Sequence, residues 1–271
     1  MPEVLISGAF NDLRSRDVRF LQEVARLGVL TVGLWSDESF RRLVGRLPEF
    51  PQPERLYMLE SIRYVNRVFI AVEPVESDKL SIREEHWPDL WVVNAAEDTP
   101  EKRQFCASAG IGYRVIPVSQ LEGFPPLDNS LPDPERKKVI VTGCFDWLHS
   151  GHIRFFEQAA AYGDLYVSIG SDSTLRQLKG AGHPLQSQQE RLYMVQAIRS
   201  VSQAFIASGS GVLDVEPEID RIRPDIYLVN ADGDHPEKRE FCRKHGLQYV
   251  VLQRLPKDGL PARQSSHLRG F

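Results

Sequence analysis

DLWVVNAAEDTPEKRQFCASAGIGYRVI, beginning at Asp89, returns with substitutions as DIYLVNADGDHPEKREFCRKHGLQYVVL, beginning at Asp225. ERLYMLESIRYV from Glu54 returns as ERLYMVQAIRSV from Glu190. Gly8 aligns with Gly143 and Cys106 with Cys242, with one residue inserted between those points. A duplication of this kind makes the chain build one architecture twice. Each copy runs to about 130 residues, an ordinary single-domain size. Between them lies PPLDNSLPDPERKK, whose Pro, Asp and Ser content reads as a linker. The expected division is a first domain over 1–127, a linker over 128–137 and a second domain over 138–271.

Within the second copy the apolar pattern alternates between short runs and helical stripes. KVIVTG, LYVSIGS, QAFIAS, DIYLVN and QYVVL read as strands. HIRFFEQAAAYG reads as a helix ending at Gly163, and SQQERLYMVQAIRSV as a second helix. PEKREFCRKHG reads as a third, with Pro236 near its start and Gly246 past its end. Strand-helix alternation with Val- and Ile-rich strands predicts an α/β fold, a Rossmann-like, doubly wound parallel sheet in each copy. In such a sheet a ligand sits beyond the C-terminal strand ends, at the switch point. The first strand of the second copy ends at Gly143, so the segment GCFDWLHSGH (143–152) lies on the loop leading into a helix.

A helix beginning near His152 points free backbone N–H groups and a positive dipole end at that loop, which favours phosphate. Gly143 and Gly151 allow close backbone approach to a ligand. His149 and His152 can donate N–H bonds to phosphoryl oxygens as charge develops on them. Asp146 can hold a histidine or help bind a divalent metal.

GCFDWLHSGH resembles the GxFDxxHxGH signature of the cytidylyltransferase-like nucleotidyltransferases. The resemblance extends over the whole second copy. It implies two nucleotidyltransferase-type domains in tandem and transfer of a nucleoside monophosphate from CTP or ATP to a phosphorylated small molecule, with release of pyrophosphate. SDSTLRQLKGAGHP resembles the stretch in which a family lysine follows the second strand, which points to Lys179. QRLPKDGLPARQSSHLRG resembles the C-terminal RTxGIST-type segment, which places Arg254, Ser265 and Ser266 at the nucleotide; where the family has a threonine, this chain reads Ser266-His267. ERLYMVQAIRSV is similar to the family's ERxxxVxxIRYV helix and leans toward CMP transfer. LKGAGHP is similar to the LKGxxRP stretch of the adenylyltransferase that makes ADP-heptose, with His183 in place of arginine, and leans toward AMP transfer. The tandem arrangement resembles ethanolamine-phosphate cytidylyltransferases, which carry one degenerate copy. On this resemblance CMP transfer from CTP is the first expectation and ATP with a sugar phosphate the alternative.

The implied catalytic residues are His149, His152, Lys179 and Arg254. The implied nucleotide-binding residues are Gly143, Cys144, Phe145, Asp146, Gly151, Arg191, Asn230, Asp232, Asp234, Arg263, Ser265 and Ser266. Mg²⁺ is the implied cofactor, bridging phosphates with help from Asp146. Single-domain relatives pair as homodimers, so the two copies are expected to form a pseudo-dimer within one chain, with a homo-oligomer open.

The two copies serve as an internal comparison. His149 faces Arg14, Gly151 faces Arg16, His152 faces Asp17 and Asp146 faces Asn11. Lys179 faces Val44, Arg254 faces Val118 and Arg263 faces Leu127. Each change removes a phosphate ligand, alters its geometry or blocks close approach, so the first copy is expected to be inactive. Arg55/Arg191, Asn94/Asn230, Lys102/Lys238 and Arg103/Arg239 recur in both copies, which favours a structural reading, with Arg191 kept within reach of the site by the resemblance.

The net charge of -4 argues against a nucleic-acid partner, which needs a basic surface. No apolar run approaches a membrane span, and no signal peptide opens the chain. Cysteines at 106, 144 and 242 form no CxxC pair, so a reducing cytoplasm is expected. A zinc site from Cys144, His149 and His152 lacks a fourth ligand at fitting spacing. Two other classes compete. One is a nucleotide-binding regulator without turnover, against which the cationic set of the second copy argues. The other is an enzyme like the class I aminoacyl-tRNA synthetases, which share an HxGH element; this chain has no KMSKS-type loop.

Overall fold

Among the described residues, ten strands form two separate five-stranded sheets, all pairs parallel. The structure is a computed structural model, and it describes residues 1–71, 73–82, 87–126, 133–265 and 268. The chain divides into two compact units, Met1–Gly123 and Phe124–Phe271. Residues 128–132 of the expected linker lie outside the described residues.

The first unit runs β1 (Glu3–Gly8), α1 (Ser15–Ala25), β2 (Val29–Leu34), α2 (Asp37–Val44), α3 (Gln52–Ser61), β3 (Arg67–Ile70), β4 (Leu90–Asn94), α4 (Pro100–Ala109) and β5 (Gly112–Ile116). Its sheet order is β3-β2-β1-β4-β5. The second unit runs β6 (Lys138–Gly143), α5 (Ser150–Ala160), β7 (Asp164–Ile169), α6 (Asp172–Lys179), α7 (Gln188–Gln196), β8 (Gln203–Ile206), α8 (Glu216–Ile222), β9 (Ile226–Asn230), α9 (Pro236–His245) and β10 (Gln248–Leu252). Its order is β10-β9-β6-β7-β8, the same pattern traced from the other edge. This is the doubly wound α/β class expected from the alternation of strand and helix.

The strands read as continuous apolar runs because helices cover both faces of a parallel sheet. Val139, Ile140 and Val141 of β6 are fully buried, and every residue of β7 is buried. In α5, Ile153, Phe156 and Ala159 recur at three-residue spacing and face the sheet. Each such aliphatic or aromatic side chain contributes roughly 1.5–3 kcal/mol on burial.

The sequence reading missed α6 and α8. Helix α6 is short and starts on Ser171, whose Oγ accepts from Thr174 N at 3.2 Å. Helix α7 stops at Gln196, earlier than expected, because buried Ile198 and Val201 turn the chain into β8.

Topology sets the site. The chain leaves β6 toward β7 on one side and returns to β9 on the other. The ends of β6 and β9, at Gly143 and Asn230, therefore flank the switch-point crevice.

Candidate active site

The loop after β6 explains its own sequence. Phe145 takes a left-handed backbone with φ +50°. Its ring folds back over Gly143, where a Cβ would lie 2.6 Å from Phe145 Cζ. Only glycine fits there. The same ring meets His152 edge-on, with centroids 5.3 Å apart. Helix α5 then starts with His149 as its N-cap, a place usually held by Ser, Thr, Asp or Asn. His149 Nδ1 accepts from Gly151 N at 3.1 Å, and His149 O accepts from His152 N at 2.9 Å. The two imidazoles stack at 3.9 Å and 21°. A Cβ on Gly151 would come within 3.0 Å of His149 Cε1, so the glycine between the histidines makes room for the capping ring.

Both imidazoles are neutral near pH 7. Burial first, then Arg254 and Arg263, pushes His149 down to about 4. Burial, then His149, Arg254 and Lys179, holds His152 well below its ordinary value. Because His149 accepts at Nδ1, its proton resides on Nε2. Neither His149 Nε2 nor His152 Nδ1 has a partner among the described residues.

A cavity of about 350 Å³ opens at the switch point. Of the sequence-derived site residues it gathers Gly143, Cys144, Phe145, Asp146, Gly151, His152, Lys179, Asn230, Asp232, Arg254 and Ser265. Lys179 reaches it from the last residue of α6, and Arg254 from the segment after β10. Arg254 is ion-paired with Asp232 and donates to Arg263 O at 3.1 Å. Ser265 Oγ donates to Trp147 O at 3.4 Å, bringing the C-terminal segment across the motif loop. Arg263 lines an adjoining hollow of about 140 Å³ with Gly151 and Arg254. His149 stands behind His152, 1% exposed, and does not line the cavity. Ser266 lies outside the described residues.

Three of the expected site residues are engaged by neighbours in the fold. Arg191 is fully buried and does not reach the cavity. It donates to Cys144 O (2.7 Å), Gly170 O (2.9 Å) and Gln186 O (3.2 Å) and pairs with Asp172 (2.8 Å). Arg55 repeats this with Ala9 O, Phe50 O and Asp37. The arginine therefore ties the motif loop to neighbouring backbone. Asp234 is also outside the cavity: it accepts from Tyr249 OH at 3.0 Å and pairs with Arg239, as Asp98 does with Tyr113 and Arg103. Asp146 lines the cavity, but its Oδ1 accepts from Leu185 N (2.8 Å) and Gln186 N (2.9 Å). Asn11 makes the matching tie to Glu49 and Phe50 N in the first unit.

A magnesium ion here would find Asp146 on the cavity wall, a carboxylate whose Oδ1 already accepts from two backbone donors; Asp232 is engaged by Arg254. Among the described residues no group of three His, Cys, Asp or Glu side chains converges to hold a metal. Nor, among them, is any helix long and apolar enough to cross a membrane.

Sequence reasoning missed several lining residues, among them Thr142, Phe155 and Lys238. Lys238 was set aside because Lys102 matches it in the first copy. The lysine is 8% exposed, and burial lowers its pKa against the opposing pull of Asp214, Asp232 and Asp234.

At the matching place in the first unit a hollow of about 200 Å³ is lined by Asp12, Asp17 and Glu97, with Arg16. Asp17 Oδ2 accepts from Arg14 N at 2.8 Å at the start of α1. Burial raises the pKa of both Asp12 and Asp17.

The sequence model of the Cytidylyltransferase-like family matches residues 140–256. An FAD synthase of Aciduliprofundum boonei is 35% identical over 125 residues, covering 45% of this chain and 80% of that protein. The chain belongs to the cytidylyltransferase-like nucleotidyltransferase family. An FAD synthase of Methanocella paludicola is 33% identical over 135 residues, covering 49% of this chain and 93% of that protein. The bifunctional protein HldE of Syntrophotalea carbinolica is 37% identical over 95 residues, covering 35% of this chain but only 19% of that protein. The matched nucleotidyltransferase stretch contains β6's last residues, both histidines, Lys179, Lys238 and Arg254.

Proposed function

We propose that the second unit transfers a nucleoside monophosphate, AMP from ATP, to a phosphorylated small molecule and releases pyrophosphate. The observation that carries the reading is the cavity itself. His152, Lys179 and Arg254 converge beside a helix N-terminus at the switch point. An oxygen of the acceptor phosphate attacks the α-phosphorus, forming a new P–O bond. The bond from that phosphorus to the α,β-bridging oxygen breaks, and pyrophosphate leaves with the electron pair. A phosphate monoester is already anionic near neutral pH, so no strong base is required. Catalysis rests on position and charge neutralisation.

His152 acts at the phosphate as a neutral N–H donor. His149 is a positioning residue that caps α5 and backs the His152 ring. Lys179 and Arg254 neutralise the phosphates, and Ser265, with Ser266 from the sequence, serves the triphosphate. Magnesium would arrive with the nucleotide phosphates, where it would neutralise charge. Arg263 adds a cation at the cavity's edge.

ATP is favoured over CTP by the FAD synthase relatives, whose named product contains AMP. The helix that leaned toward CTP is a packing element: Arg191, Tyr193, Met194 and Val195 are buried. It therefore does not bear on the base. In the first unit, carboxylates stand where the second has histidine and glycine, and they would repel a triphosphate. We take that unit to be a degenerate copy without turnover.

The test is pyrophosphate release from ATP, CTP, GTP and UTP with Mg²⁺, across FMN, sugar phosphates, polyol phosphates and phosphoethanolamine. ATP should be the productive donor. His152→Ala should lower kcat by about 10²-fold or more with the fold intact. Near-full activity of that variant would overturn the assignment, and exclusive use of CTP would overturn the choice of base.

A further inference from the structure

Two anions must meet in this reaction, yet the cations named so far attend only one of them. We propose that Lys238 holds the phosphate of the acceptor, forming a second anion subsite at the end of β9. This rests on the nucleotidyl-transfer reading above.

Lys238 lies on α9 and lines the cavity while being 8% exposed. Among the described residues its ammonium makes one hydrogen bond, to Gly233 O at 3.2 Å. An ammonium has three donors, so two remain for a ligand. No carboxylate among the described residues comes within ion-pairing distance of it. A buried ammonium with no carboxylate in contact is costly, Asp214, Asp232 and Asp234 acting only from a distance, and a phosphate in contact would relieve that cost. Asn230 on the same wall presents an acceptor that would take an O–H or N–H of the acceptor molecule rather than its phosphate. Its Oδ1 is sealed from solvent and has no partner among the described residues, whereas the matching Asn94 Oδ1 accepts from Ala96 N at 2.9 Å.

The matching lysine of the first unit does not line the hollow there. Lys102 donates to Glu97 O at 2.6 Å and sits over the Trp91 ring. The residue matching Glu97 in the second unit is Gly233. A Cβ there would lie 4.0 Å from Lys238 Nζ, so glycine leaves the ammonium uncovered on that side. A glutamate at 233 would supply an intramolecular carboxylate in place of a phosphate.

Inorganic phosphate is titrated calorimetrically into the full chain, free and saturated with α,β-methylene-ATP. Wild type, Lys238→Met, Gly233→Glu and Lys179→Met are compared. On nucleotide-loaded protein, Lys238→Met and Gly233→Glu should each weaken phosphate binding about tenfold or more, with nucleotide affinity within about threefold of wild type. Lys179→Met should do the reverse. Gly233→Glu retains the lysine and so stands if Lys238→Met fails to fold. The proposal is overturned if loaded wild type binds no phosphate, if Lys238→Met binds it as well as wild type, or if the loss falls on the nucleotide. Failure of the analogue to bind would instead sink the nucleotidyl-transfer reading; phosphate binding to free protein, with or without Lys238, then decides the subsite alone.

Discussion

Acidification should destabilise the fold through His149, over a defined window. Its imidazole is 1% exposed, caps α5 through Nδ1, and has its pKa pushed from 6.5 to about 4, by burial first. Between those values the unfolded chain binds a proton that the folded chain does not. Stability therefore rises with pH across the window, is complete above 6.5, and is lost as pH falls to about 4. At about 1.36 kcal/mol per pKa unit, the full loss is about 3 kcal/mol. The comparison is His149→Asn, because asparagine can cap a helix but does not titrate. Urea unfolding of both proteins from pH 7.5 to 4 should show wild type losing about 3 kcal/mol relative to the variant. His152 is present in both and largely cancels. A difference between the two proteins that stays flat across the window would refute the reasoning that His149 is held neutral by burial.

Other substitutions follow from the same geometry. Gly143→Ala should cost about 1–3 kcal/mol, because the new methyl meets the Phe145 ring at 2.6 Å; Gly8→Ala, with 3.2 Å to Phe10, should cost less in thermal melts. Arg191→Met should cost about 3–5 kcal/mol by leaving the carbonyls of Cys144, Gly170 and Gln186 and the Asp172 carboxylate without their donor, read by urea unfolding. Arg254→Gln should leave the melting temperature nearly unchanged, since its Asp232 partner is 53% exposed, while weakening ATP about tenfold by calorimetry. Saturating ATP with Mg²⁺ at about a hundred times its Kd should stabilise the protein by roughly 2.7 kcal/mol, visible as a rise in Tm.

The α/β class was legible because buried parallel strands must be apolar throughout and their covering helices striped. The motif loop was legible because glycines and capping residues answer to local backbone geometry. Helices α6 and α8 were not, since short helices carry little periodicity. Comparison of the two copies separated His152 and Lys179 from the background. It set Lys238 aside, although this lysine lines its cavity and Lys102 does not line the matching hollow.

By itself the sequence determined the strands and longer helices, the position of the histidine pair at a helix start, and the loss of that pair in the first copy. These are local matters, set by residues near in the chain. Tertiary structure alone decided that Arg191 and Asp234 serve the fold, that Asp146 is tied to residues 185 and 186, and that Lys238 faces the cavity with one partner. Each of these depends on which backbone carbonyls and carboxylates, distant in sequence, come within a few ångströms of a charged group. A buried charge takes its role from those neighbours, because only they can replace the water it has lost.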